Sequence, residues 1–309
     1  MSRLRAGVVA LLCLMAAILH VPGPAKAERA GANLAAAMQA MREGDWVQAR
    51  ALAEADGMVA EDVILWHYLR AGRGDAADVQ DFLARNPDWP GLPYLREKSE
   101  EAMAEASNDA VLAFFADDLP KTGNGALALA RAFAASGDIG AAQATVVLAW
   151  RTLALSSDER RAFLADWADV LDPHHEARLD MALWKGWTVN AGAMLPYVDE
   201  GWRMLAEARL GLRNMAAGVD AMIEAVPEAL REHPGLAYER FRWRSEKRRL
   251  DDAIALLLER STSADALGEP WAWARARREL ARDRMRDGAV TQAYRIASGH
   301  YLVEGSDFA

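Results

Sequence analysis

The chain has 309 residues, with 36 basic against 45 acidic side chains, a formal net charge of −9 and 52% apolar residues. Nucleic acid and anionic lipid both demand a basic surface, so this balance excludes them as general partners and confines any polyanion to local patches. The single cysteine, Cys13, leaves neither a disulfide framework nor a cysteine-ligated metal.

Residues 1–27 read as a secretory signal. Arg3 and Arg5 provide a positive start, Ala6 to Leu19 an apolar run, and Ala25-Lys26-Ala27 a small-residue cleavage site. A membrane-spanning helix needs about 20 apolar residues, and Val21-Pro22-Gly23-Pro24 interrupts this run, so cleavage is expected rather than anchoring. The mature chain then starts at Glu28. It loses Arg3, Arg5, Lys26 and Cys13, which leaves 33 basic against 45 acidic groups, a net charge of −12 and no thiol. No transmembrane insertion is expected after cleavage.

From Glu28 onward the segments are rich in Ala, Leu, Glu and Arg and poor in Val, Ile and Thr runs, which favours helix almost throughout. The apolar spacing predicts about fifteen helices of about 8 to 17 residues. A weak repeat runs through them. Gly-Asp-x-x-x-Ala occurs at Gly44-Asp45 with Ala49 and at Gly137-Asp138 with Ala142, and Gly288 with Ala293 repeats it without the Asp. In each, the glycine ends one helix in a left-handed cap, and the alanine lets the next helix pack closely. This is the turn of a helical hairpin. The irregular spacing excludes a strict 34-residue repeat. The expected fold is all-α, a right-handed α-superhelix of unequal, tetratricopeptide-like hairpins over 28–309.

Local signals follow in chain order. His67, between Trp66 and Tyr68, reads as a packed side chain. Gly72-x-Gly74 with Ala77, and Gly123-x-Gly125 with Ala128, match a dinucleotide-binding spacing. Both follow helical or turn-like sequence rather than a strand, so each reads as a helix-to-helix turn, as does Arg73-Gly74-Asp75. Trp89 sits in a loop between Pro87 and Pro90, where an indole face is suited to stacking on a sugar ring or to packing. Ser156 with Glu159 forms a capping box, and Asp172-Pro173 is expected to cap a new helix. His174, His175 and Glu176 have metal-ligand chemistry, but helical neighbours point about 100° apart, so they read as a solvated first turn. Trp202, Leu205, Ala206 and Leu210 form one core stripe, and Trp273, Ala276, Leu280 and Ala281 another. Arg240 to Arg249, RFRWRSEKRR, is the strongest basic patch, and its Arg240, Arg242, Arg244 and Arg248 join Trp89 as candidate glycan or partner contacts. Val290, Ala293, Tyr294, Ala297 and Tyr301 form a final stripe. Ser306 and Asp307 then resemble the start of another helix, which suggests a superhelix that runs on. No catalytic residue, cofactor site or metal site is assigned.

Two stretches carry more than a generic helical pattern. Gly44-Asp45-Trp46, DVILWHYL at 62–69 and FLARNPDWPGLPYLR at 82–96 resemble the N-terminal helical region of the soluble lytic murein transglycosylases. So do FRWRSEKRRLDDAIALLLE from Phe241, Leu267-Gly268-Glu269-Pro270-Trp271 and LARDRMRDGAVTQAYRIASGHYLVEG, which ends at Gly305. The resemblance implies a periplasmic location, peptidoglycan glycan strands as partner and a superhelix that normally precedes a goose-lysozyme-like domain. That domain cleaves the β-1,4 bond between N-acetylmuramic acid and N-acetylglucosamine to a 1,6-anhydro product. The family's Glu-Ser-x-Phe and Gly-Leu-Met-Gln type motifs are absent from these 309 residues. The resemblance therefore implies an inert, scaffolding or glycan-guiding region. The alternative is a complete periplasmic solenoid that binds protein partners and buries Tyr294 and Tyr301.

Overall fold

The computed structural model describes residues 24–303, and all its regular structure is helical; no strand occurs among these residues. The signal through Gly23 and the helix start at Ser306 lie outside the described residues. The chain divides into two compact units, one ending at Leu95 and the other starting at Arg96.

The first unit contains α1 (Pro24–Arg42), α2 (Trp46–Glu54), α3 (Met58–Arg70) and α4 (Ala76–Arg85). Its core is alanine-rich, with Ala37, Ala49 and Ala53 fully buried around Ile64. Helix α5 (Leu92–Met103) carries the division between the units. The second unit continues with α6 (Asn108–Phe114), α7 (Gly123–Ala135), α8 (Ile139–Thr152), α9 (Ser157–Leu171), α10 (His175–Lys185), α11 (Thr188–Met194) and α12 (Glu200–Arg213). It ends with α13 (Val219–Ala225), α14 (Glu228–Arg231), α15 (Pro234–Glu246), α16 (Leu250–Arg260), α17 (Ala264–Leu267), α18 (Pro270–Arg286) and α19 (Val290–Ser298). One of its cores centres on Trp150 and Phe163, another on Phe241 and Trp273. The nineteen helices described exceed the fifteen expected because several run only four to seven residues, too short to show a periodic stripe.

The hairpin turn recurs with one geometry. Gly44, Gly137 and Gly288 have φ of 83°, 88° and 77°. The next N–H bonds back five residues, Asp45 to Ala40 O at 2.9 Å, Asp138 to Phe133 O at 2.9 Å and Ala289 to Arg284 O at 2.8 Å. This satisfies a terminal carbonyl of the helix that ends. Asp45 and Asp138 then accept the N–H groups of Gln48 and Ala141, which starts the following helix. Ala49, Ala142 and Ala293 are buried at the close contact. The same turn occurs at Gly186, with Trp187 N to Ala182 O at 2.8 Å and Ala191 buried. It also occurs at Arg248, whose φ is 57°, with Arg249 N to Arg244 O at 2.9 Å and Ala253 buried. Neither carries Gly-Asp; Gly186 keeps the glycine and the alanine five residues later, and the Arg248 turn keeps only the alanine.

Other helix ends are held by buried side chains. Arg178 donates to Trp150 O and, at 3.2 Å, to Leu153 O at the end of α8, while Arg277 donates to Ile296 O at 2.6 Å at the end of α19. Neither has a carboxylate partner among the described residues. Burial pushes both guanidinium groups down to about 10, so they stay charged, facing the partial negative charge of a helix C-terminus. Glu100 does the converse at the start of α7, accepting from Lys121 N and Thr122 N, each at 2.8 Å, and from Thr122 Oγ1 at 2.7 Å. A Cβ on Gly125 would collide with that carboxylate, which explains the Gly123-x-Gly125 spacing as close packing at a helix start. Gly72 and Gly74 lie in the turn between α3 and α4, where Asp75 caps α4. The capping box at Ser156 and Glu159 is present.

Two local expectations are corrected. Asp172 is not a side-chain cap; its backbone stays helical and rolls through a 3-10 turn (Asp172–His174) into α10. Pro173 has no N–H to satisfy, so the chain continues without a break. On α19 the inward residues are Ala293 and Ile296, while Val290 is 57% and Tyr294 71% exposed. Once the turn places Ala293 in the close contact, Tyr294 points about 100° away. Tyr301 follows the helix, is 43% exposed and donates to Thr262 O at 2.7 Å. The burial of Tyr294 and Tyr301 expected for a protein-binding solenoid is therefore not found.

A Cβ on Gly137 meets nothing within 4 Å, so substitution there tests backbone strain alone. Gly137→Ala is expected to lower stability by about 1 kcal/mol, and Arg248→Gly, which relieves the same conformation, to raise it by about 0.5 kcal/mol. Urea unfolding midpoints of the two variants should move in opposite directions.

Candidate contact sites

Trp89 lies in the loop after α4, half-buried, its ring edge-on to buried Phe82 at 5.7 Å. Trp66 donates from its indole to Pro90 O at 3.0 Å, and Asn86 donates to Phe82 O at 3.2 Å, so the loop is braced at both ends. The indole borders an open groove formed by the Asn86 to Pro90 backbone and Arg85. Arg85 is itself tied to Asp62 and Asp81. One part of the indole thus packs, while the rest borders solvent.

The basic run does not form one patch. Helical periodicity places Arg240 and Arg244 on one face of α15 and turns Arg242 elsewhere. Arg242 lies 3.5 Å from Glu239, which is fully buried and also bound by Arg213. Arg248 is exposed at the left-handed turn, and Arg249 pairs with Asp252 at 2.6 Å. Arg240 and Arg244 instead line a cleft of about 220 Å³ with Trp243, facing Asp220 and Glu224 of α13.

The histidines are also separated. His175 is buried, only 6% exposed, between Trp150 at 5.6 Å and Tyr197 at 5.3 Å, which corrects the expectation of a solvated turn. The 3-10 turn rotates it inward while Glu176 stays exposed. Burial holds its imidazole below the usual value. His67 is half-buried and edge-on to Trp66 at 4.7 Å, its value lowered by burial and by Arg70. No group of three or more metal-binding side chains converges among the described residues, and no helix among them is long and apolar enough to cross a membrane.

No protein-family model matches the chain, and no curated protein or solved structure is significantly similar to it.

A titratable cluster that no sequence motif marked lies between α10, α12 and α15. Arg209, completely buried, donates to Asp180 at 2.5 Å beneath the ring of Trp184 and beside Gly235, where a Cβ would collide with the guanidinium. His233 caps α15 by accepting Gly235 N–H on Nδ1 at 3.1 Å, and its Nε2 lies 3.9 Å from Asp180. Trp202 covers the imidazole at 5.4 Å. Burial, aided by Arg209 and Arg260, outweighs the opposing pull of Asp180 and keeps His233 below its ordinary value. Protonation would remove the acceptor and place a positive charge at a helix N-terminus.

The folded state thus favours neutral His233. Its contribution to stability is complete above about pH 6.5 and is lost as pH falls below that value. His233→Asn retains a capping acceptor without titrating. The wild-type urea midpoint should fall between pH 7 and pH 5, and the variant should show a shallower fall, by about 1 kcal/mol. Equal pH dependence of the two would remove His233 from this role.

Proposed function

We propose that the chain is an exported helical-hairpin scaffold of the kind that precedes the catalytic domain in soluble lytic murein transglycosylases, and that it contacts peptidoglycan glycan strands in the periplasm. The observation that carries the reading is the recurrence of one left-handed hairpin turn at Gly44, Gly137, Gly186, Arg248 and Gly288, with a buried alanine five residues later each time. Repeated hairpins that pack mainly on their sequence neighbours are the units of a right-handed α-superhelix. Packing in the second unit supports that arrangement, since α8 meets α10, α10 meets α12, α12 meets α15, and α16 meets α19.

Trp89 is the favoured sugar contact, because its braced loop holds a half-exposed indole beside an open groove. Arg248, exposed and without a partner among the described residues, is suited to a carboxylate on the strand. The scaffold reading assigns no bond cleavage to this chain.

Co-sedimentation of the purified protein with isolated peptidoglycan sacculi tests the proposal. Retention is expected, with Trp89→Ala weakening it about fivefold, the equivalent of about 1 kcal/mol of stacking. Arg248→Gln should make retention less sensitive to salt. No muropeptide should appear in the supernatant. Absence of retention, or release of 1,6-anhydro products, would overturn the reading.

A further inference from the structure

Helix α13 presents Asp220 and Glu224 four residues apart, and α15 presents Arg240 and Arg244 four residues apart; both pairs line the same cleft. Two such faces ordinarily join in ion pairs. Here no ion pair crosses the cleft. Arg244 instead donates to Asp252 O at 3.1 Å, and Arg249, at the same cleft, is held by Asp252 at 2.6 Å. Asp220, Glu224 and Arg240 have no side-chain partner among the described residues.

The cleft is also lined by apolar Leu212, Val219, Ile223 and Trp243. Arg249 lies 6.0 Å from the centre of the Trp243 ring, which keeps that guanidinium near the cleft. The volume of about 220 Å³ falls below the roughly 300–1,000 Å³ of pockets for drug-sized molecules and suits one of amino-acid size. An anion alone would meet Asp220 and Glu224; a cation alone would meet three arginines. Burial and the neighbouring Arg240 press the Arg244 guanidinium below its ordinary range against the pull of Asp252 and Glu259, and a carboxylate placed between Arg240 and Arg244 would form charge-assisted hydrogen bonds.

We propose that this cleft binds a small zwitterion, an α-amino acid whose carboxylate faces Arg240 and Arg244, whose ammonium faces Asp220 and Glu224, and whose apolar side chain rests on Ile223 and Trp243. The site is independent of the peptidoglycan reading, which uses Trp89 and Arg248.

Calorimetric titration of the full chain with L-norleucine tests it, with N-acetyl-L-norleucine as the anion-only probe and L-norleucinamide as the cation-only probe. Norleucine should bind saturably, and each singly charged probe at least about tenfold more weakly. Arg240→Gln/Arg244→Gln and Asp220→Asn/Glu224→Gln should each abolish norleucine binding while leaving the circular-dichroism spectrum and retention on sacculi unchanged. Equal binding of the acetylated probe would identify a simple anion site, and no saturation by about 10 mM norleucine would remove the cleft as an amino-acid site; either result overturns the proposal.

Discussion

A chain built from many short helices has many helix ends, and each end leaves four backbone N–H or C=O groups without a partner inside the helix. Among the described residues those groups govern much of the architecture. The left-handed turn at Gly44, Gly137, Gly186, Arg248 and Gly288 ties a terminal carbonyl to the next N–H and reverses the chain in the same step. At four other helix ends, a side chain from another element takes its place. Arg178 and Arg277 close the ends of α8 and α19, Arg96 binds Phe114 O at the end of α6, and Glu100 holds the start of α7.

The same constraint accounts for charged residues inside the second unit. Arg178 and Arg277 are desolvated cations whose compensation is backbone carbonyls rather than carboxylates. Arg209 with Asp180, and Glu239 with Arg213, are paired more conventionally. Breaking a buried pair by removing one member leaves an uncompensated charge, which is strongly destabilising. Gly235 and Gly186 belong to the same constraint, since a Cβ at either would strike the guanidinium of Arg209 or Arg213.

The α13–α15 cleft differs because its charges do not satisfy one another. Its opposed acidic and basic walls remain apart, whereas Arg242, on the same stretch of α15, turns to buried Glu239. A basic run in sequence thus contributes to a buried network, a turn and an open cleft. Trp89 shows a similar division, with one ring edge packed on Phe82 and the rest beside a groove.

Much of the helical character was set by the sequence alone, through local chemistry. Alanine- and leucine-rich segments made helix the expected state, the Gly-Asp-x-x-x-Ala turns at Gly44 and Gly137 carry their own caps, and Ser156 with Glu159 satisfies two N–H groups within a single turn. What required the tertiary structure was every feature whose partner lies on another helix. Arg248 adopts a glycine-like conformation because its hairpin packs Ala253 closely, and His175 is buried because a 3-10 turn rotates it toward Trp150. Tyr294 is exposed because Ala293 occupies the contact beside it. The opposition of Asp220 and Glu224 to Arg240 and Arg244 was likewise illegible in sequence, because hydrophobic periodicity says which face of a helix is buried but not which helix it meets.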